Sequence, residues 1–347
     1  MSTITLPVKA NEHPQVRSLN ILRDLSSVAD LIELCFSNTM DSDGQRYLSD
    51  MRRAGSDDKF LRWANHMAET TSLPLTGYVW EENNKIVGNA SLIPFRDAGR
   101  RIHLIANVAT HPDHRRRGIA RILTQRAMEH ARKKNTTAIW LHVRDDNPGA
   151  IKLYEDLGFQ EIARRTTWQA NPDSHLLKPY TELQIVPRHP RFWSLQEDWL
   201  RRLYPEALSW YQPLNLHALR PGLFNWLYLL FMDFNIKQWA AVRGDELLAT
   251  LIWMPQGGRT ESMYAAAARA FPKEHRDAVS GVTRQGSEVE THIIEPHEEA
   301  LTHLLIHARR ALSDHATLSL DYPASEMTDA ILAAGFKLRR TLMWMRA

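Results

Sequence analysis

The chain has 347 residues, 44% hydrophobic and 24% charged, which is length enough for two ordinary cores and the composition of a globular protein. Its net charge of +3 comes from interspersed acids and bases, which argues against nucleic acid as a main partner, because such a surface needs a concentrated basic face. The single cysteine, Cys35, excludes an internal disulfide and fits a reducing, cytoplasmic setting.

Residues 1–15 have no apolar core and do not read as a signal peptide. Residues 19–22 read as a first strand. Asp24-Leu25-Ser26-Ser27 then offers a helix cap before Val28, Leu31, Ile32, Cys35 and Phe36 at helical spacing. Residues 37–72 are polar with scattered Met and Trp, and read as helical pieces over a cleft. Two strand-like runs, 77–80 and 85–94, flank Glu81-Glu82-Asn83-Asn84 and predict a hairpin. Residues 101–110 form the next strand, closed by the basic turn Arg115-Arg116-Arg117-Gly118-Ile119-Ala120.

After Gly118, a helix places Ile119, Ile122, Leu123, Ala127 and Ala131 on one face, with Arg121, Gln125, Glu129 and Lys133 outward. Residues 138–143 are apolar enough for a central strand. Asn147-Pro148 then caps a short helix that Gly158 ends, and 159–168 returns as a strand. Asn171-Pro172-Asp173-Ser174 marks a boundary. The most apolar run, 222–232, is too short to span a membrane and reads as a buried helix or an interface.

The chain beyond that boundary echoes the first half. With Gly158-Phe159 laid on Gly335-Phe336, Leu141 meets Leu318 and Val143 meets Leu320. Ser319 then falls opposite His142, and Ile331 opposite Tyr154. KIVGNASLIP likewise resembles ELLATLIWMP, with Pro94 against Pro255. Three such matches in one order suggest a tandem repeat. Where a second glycine turn should stand, the chain reads Glu295-Pro296-His297-Glu298-Glu299-Ala300, whose charge would repel a pyrophosphate.

A strand, then Arg-x-x-Gly-x-Ala, then a helix, with Asn147 and Tyr154 downstream, resembles the Gcn5-related N-acetyltransferase (GNAT) family. The likeness is nearest to its ribosomal-protein N-terminal acetyltransferases. It implies an α/β fold of two tandem GNAT-like domains, each a mixed, mostly antiparallel sheet flanked by helices. The first, 1–172, would be catalytic and bind acetyl-CoA; the second, 173–347, would be a degenerate copy.

Arg115, Arg116 and Arg117, with the amides of Gly118, Ile119, Ala120 and Arg121, can hold a pyrophosphate at the helix start. By resemblance, the Val108 amide polarises the thioester carbonyl, Ala109 and Thr110 hold the pantetheine arm, and Asn147 adds a further contact. Tyr154 corresponds to the family's proton donor. The relatives' glutamate base is replaced by His142, read equally as a base or as a polar residue lining the cleft.

No metal is implied: His111 and His114 straddle a proline, and His303 and His307 lack a third ligand. The activity implied is N-acetyl transfer to a primary amine by direct attack in a ternary complex, the acceptor being a small molecule or a peptide. A non-catalytic acyl-CoA-binding regulatory module is the alternative. The second half could complete the acceptor pocket, form a homodimer, or both. No membrane partner is expected.

Overall fold

The computed structural model describes residues 13–40, 42–57, 74–176, 182–211, 214–222, 236–254, 260–268, 295–312 and 317–347. The chain divides into two compact units. One comprises Met1–Ala163 with Met343–Ala347, and the other Arg164–Leu342. The last strand therefore starts in the second unit and ends in the first, where a cut at residue 172 would have left it wholly in the second. The apolar run from residue 223 onward and residues 58–72 of the polar segment lie outside the described residues.

In the first unit, β1 (Val16–Ser18) leads into helix α1 (Ile21–Phe36). The helix starts earlier than its sequence suggested, because Asn20 is the cap and its side chain accepts the Leu22 N–H at 3.1 Å. Asp24, expected as the cap, sits instead in the first turn and pairs with Arg17. The apolar face of α1 (Leu25, Val28, Ala29, Ile32) packs with Leu48 and Met51 of α2 (Ser42–Gly55) and with Val79 of β2 (Thr76–Glu82).

The hairpin to β3 (Lys85–Asp97) turns on Asn83 and Asn84, both with positive φ. Asparagine tolerates that conformation, and such a turn matches the twist of paired strands. Strand β4 (Arg100–Thr110) continues the antiparallel sheet. Helix α3 (Ile119–Lys133) then crosses to β5 (Ala138–Arg144), which pairs parallel to β4.

Leu123, Ala127 and Ala131 of α3 are wholly buried on the sheet, as the helical spacing predicts. Helix α4 (Pro148–Asp156) is bounded as expected. Asn147 accepts the Ala150 N–H at 3.1 Å, proline opens the first turn, and Gly158 follows at φ +90°. Beyond β5 the sheet of this unit is completed by the end of β12 (Lys337–Arg346), where Ile139 and Ala347 exchange backbone hydrogen bonds.

The second unit builds a comparable sheet from β6 (Gln160–Ala170, from Arg164 on), β7 (Gln184–Pro187), β8 (Lys237–Arg243), β9 (Glu246–Met254), β10 (Thr260–Ala267), β11 (Thr317–Pro323) and the start of β12. Strands β8, β9 and β10 are antiparallel, and β11 runs parallel to β10. Helices α5 (Trp193–Leu203), α6 (Leu216–Leu219), α7 (Pro296–Ala311) and α8 (Thr328–Ala333) accompany them. His303 of α7 is buried in the unit, and burial lowers its pKa.

Candidate acyl-donor site

The geometry of the first unit centres on the ends of β4 and β5. Their parallel pairing runs from Ile102 and Ala138 to Ile105 and Leu141 and stops there, although β4 continues to Thr110 and β5 to Arg144. Over residues 106–110, β4 therefore has no strand partner on its β5 side among the described residues. On its other side the ladder to β3 slips, because Asn107 and Val108 together face Ala90 alone. Asn107 takes φ +52°, the left-handed region that asparagine reaches more cheaply than other side chains. Val108, the expected carbonyl-binding residue, follows directly, with Ala109 and Thr110 at the strand end.

The chain then turns through Pro112–His114 and enters α3. Arg116 at φ +63° and Gly118 at φ +78° make the turn, with Gly118 as the helix cap. The first helical hydrogen bond is from the Ile122 N–H to the Gly118 carbonyl, 3.1 Å. The amides of Ile119, Ala120 and Arg121 precede it at the positive end of the helix, where anions bind. Gly88 explains how closely this helix start approaches the sheet: a Cβ there would lie 2.6 Å from Ile119 Cγ2.

The arginines divide into two kinds. Arg117 grips Glu82 through two bonds of 3.1 and 2.7 Å and, with the Trp80 indole N–H, holds that carboxyl below the usual carboxylate range. Arg121 pairs with Asp156 at 2.7 Å, tying the start of α3 to the end of α4. Arg115 and Arg116 form no ion pair among the described residues, and Arg115 Nε lies 3.4 Å from the Thr110 carbonyl.

Tyr154, on α4, belongs to one apolar cluster with Ile105, Leu141, Val143 and the half-buried Val108. Its ring meets Phe159 edge-on, 6.1 Å between centroids. Burial raises its pKa, so the phenol stays protonated.

His142 lies on the opposite face of β5, because residues two apart share a face and Leu141 and Val143 point toward Tyr154. Its ring is 4.9 Å from that of Trp344, contributed by the returning C-terminal strand. Two faces thus flank the opening, with a phenol on one and an imidazole on the other.

Several residues here had not been singled out from the sequence. Asn89 donates to the Asn107 carbonyl at 2.8 Å, and Asn107 Nδ2 donates to Tyr47 Oη of α2, also at 2.8 Å. Their signal was an asparagine inside each of two apolar strands, a residue that strands disfavour.

Residues 37–159 match the sequence profile of the Acetyltransferase (GNAT) family. The chain carries a GNAT-family domain. It is 37% identical over 67 residues to the [ribosomal protein bS18]-alanine N-acetyltransferase of Escherichia coli K12, covering 19% of this chain and 45% of that one. It is also 37% identical over 86 residues to the chloroplastic GCN5-related N-acetyltransferase 4 of Arabidopsis thaliana, covering 23% and 30%. The chain thus spans less than half the length of these relatives.

Among solved structures, a GCN5-related N-acetyltransferase from Sphaerobacter thermophilus matches with a TM-score of 0.50 at 13% identity, over 99% of this chain and 96% of that one. A likeness at that identity speaks to the fold alone. Among the described residues, no helix is long and apolar enough to cross a membrane.

Proposed function

We propose that the chain is an acetyl-CoA-dependent N-acetyltransferase whose site is the β4–β5 opening of the first unit. The observation that carries this reading is the conjunction of three features: a parallel pair that parts after Ile105 and Leu141, a left-handed bulge on its free edge, and a glycine-capped helix start directly beyond. The opening exposes backbone that can pair with a pantetheine arm, as Ala109 and Thr110 would do. The helix start supplies amides for a pyrophosphate, with Arg115 and Arg116 adding charge and Asn147 a further contact.

In the reaction, an amine nitrogen attacks the thioester carbonyl carbon. The carbonyl oxygen takes up negative charge, which the Val108 amide stabilises as an oxyanion hole does. The intermediate collapses with cleavage of the C–S bond, leaving an amide and the CoA thiolate. Tyr154, kept protonated by burial, gives that thiolate its proton. His142, on the other face of β5, accepts the proton that the amine loses.

The acceptor is a primary amine of a small molecule or of a protein N-terminus. The Escherichia coli relative is named for acetylating a ribosomal-protein alanine, which supports including N-terminal peptides.

The second unit is read as a repeat of this fold without its site. Its parallel pair ends at Met263 and Leu320, which lays Asp321, not Ser319, on His142. Ile331 keeps its place opposite Tyr154: the Phe336 N–H bonds the Ile331 carbonyl as the Phe159 N–H bonds that of Tyr154. The opening is filled from within the unit. Tyr204 Oη accepts the Ala265 N–H at 3.0 Å and faces the Ala265 carbonyl at 3.2 Å, while buried Arg165 pairs with Asp321. The first turn of α7 carries Glu298 and Glu299.

The test is CoA thiol release from acetyl-CoA over a panel of peptides, polyamines and amino sugars. Turnover on any amine supports the reading. Binding without turnover on all of them would favour a non-catalytic acyl-CoA module.

A further inference from the structure

The bulge in β4 is held by a buried polar network that the chemistry above does not use. Val79 lies opposite Asn89 in the β2–β3 ladder and packs with α1 and α2, so Asn89 and Ser91 face those helices, while Ala90 and Leu92 face α3. Asn89 is wholly buried. Its Nδ2 donates to the Asn107 carbonyl at 2.8 Å and to Ser91 Oγ at 3.2 Å, and its Oδ1 has no hydrogen-bond partner among the described residues. From the other side, Asn107 Nδ2 donates to Tyr47 Oη. Burial pushes the Tyr47 phenol up to about 12, so at neutral pH it is a neutral hydroxyl that can accept from the amide.

Each part of this arrangement is unfavourable alone. A left-handed residue other than glycine is strained, asparagine less than most, and a buried carbonyl oxygen without a partner has given up its hydration for nothing. The second unit shows how the strand runs without it. There Ala265 alone faces Leu251, the β9–β10 ladder has no slip, and Thr250 is paired with Ala266 where Asn89 pairs with Ala109.

We propose that Tyr47 and Asn107 are positioning residues that lock the β4 bulge and so fix the direction of the Val108 amide toward the acyl carbonyl. The proposal rests on the acetyl-CoA reading of this site. Tyr47 clamps the Asn107 side chain and Asn89 clamps its carbonyl, so the peptide leading into Val108 is held from both ends. Helix α2 thereby contributes to the acyl site through one hydroxyl. A looser bulge would leave the pyrophosphate turn intact and weaken only the bond to the acyl oxygen, which acetyl-CoA has and CoA lacks.

The test is calorimetric titration of acetyl-CoA and of CoA into the full chain as wild type, Tyr47→Phe and Asn107→Gly. Glycine keeps the positive φ and removes only the clamp. The expected result is a wild type that prefers acetyl-CoA, with the preference reduced about three- to tenfold in both variants and the affinity for CoA held within about twofold. With an active acceptor, kcat should fall, and KM for acetyl-CoA should rise by no more than the loss in acetyl-CoA affinity. A wild type that binds the two equally, or variants that keep the wild-type ratio, would overturn the proposal. A wild type that binds neither overturns the acetyl-CoA reading itself, and this proposal with it.

Discussion

Asp24 is buried at the start of α1, where burial alone would raise its pKa. Hydrogen bonds from Arg17 (2.5 and 2.9 Å), the Asn20 amide (2.8 Å) and Arg23 (3.0 Å) outweigh that and hold the carboxyl below its usual range. A carboxyl depressed on folding stabilises fully above its unfolded pKa, near 4, and loses that contribution as pH falls through the folded value. Asp24→Asn should therefore cost about 2 kcal/mol at pH 7, and the difference from wild type should shrink below about pH 4. Urea denaturation at several pH values checks both. A pH-independent difference would mean that packing, not charge, holds the site.

Tyr154→Phe keeps the ring in its cluster and removes the proton donor. It should lower kcat about a hundredfold with acetyl-CoA affinity unchanged within a few-fold, read from initial rates and calorimetry. Because burial raises this phenol, its ionisation should not reduce kcat below about pH 10.

At the scale of elements, Gly88 and the start of α3 are a single packing problem. A methyl group on Gly88 would press on Ile119 and Leu123 and lift the helix whose first amides point at the proposed pyrophosphate. Gly88→Ala should destabilise by about 1–3 kcal/mol and weaken acetyl-CoA binding. Unchanged affinity in a melted-and-refolded control would detach the helix start from the site.

Which elements could be read from sequence follows from how local their causes are. The β2–β3 hairpin, α3 and α4 carry their determinants within a few residues, as Asn83-Asn84, Gly118 and Asn147-Pro148 show. The start of α1 was misplaced because Asp24 resembles a cap by composition, whereas it pairs with Arg17 of strand β1 and leaves the capping to Asn20. The bulge at Asn107 was not legible, since the residues that hold it lie 18 and 60 positions away. Trp344 beside His142 was hidden for the same reason.

For the whole molecule, the likeness of the glycine turn, its flanking strand and helix, and Asn147 and Tyr154 downstream to the GNAT family led us to expect a GNAT-type first half, and a family match over residues 37–159 bears that out. The return of Met343–Ala347 to the first unit was not visible, because nothing in KLRRTLMW says which sheet edge takes it. The proposed repeat makes a stoichiometric statement. With Tyr204 on the Ala265 backbone, Arg165 on Asp321 and two glutamates opening α7, the proposal assigns acyl-CoA binding to the first unit alone.

The decisive measurement is calorimetric titration of acetyl-CoA into the wild type and a Gly118→Glu variant whose folding is checked by circular dichroism. There is room for the side chain, the nearest atom to an added Cβ being Ile122 Cδ1 at 4.0 Å, but φ +78° strains any residue other than glycine; Gly118→Ala carries that strain alone, so what Gly118→Glu loses beyond it reports a carboxylate set against the phosphates. The account predicts one acetyl-CoA per chain in the wild type and none in the variant. Two per chain, or binding that survives Gly118→Glu, would contradict it.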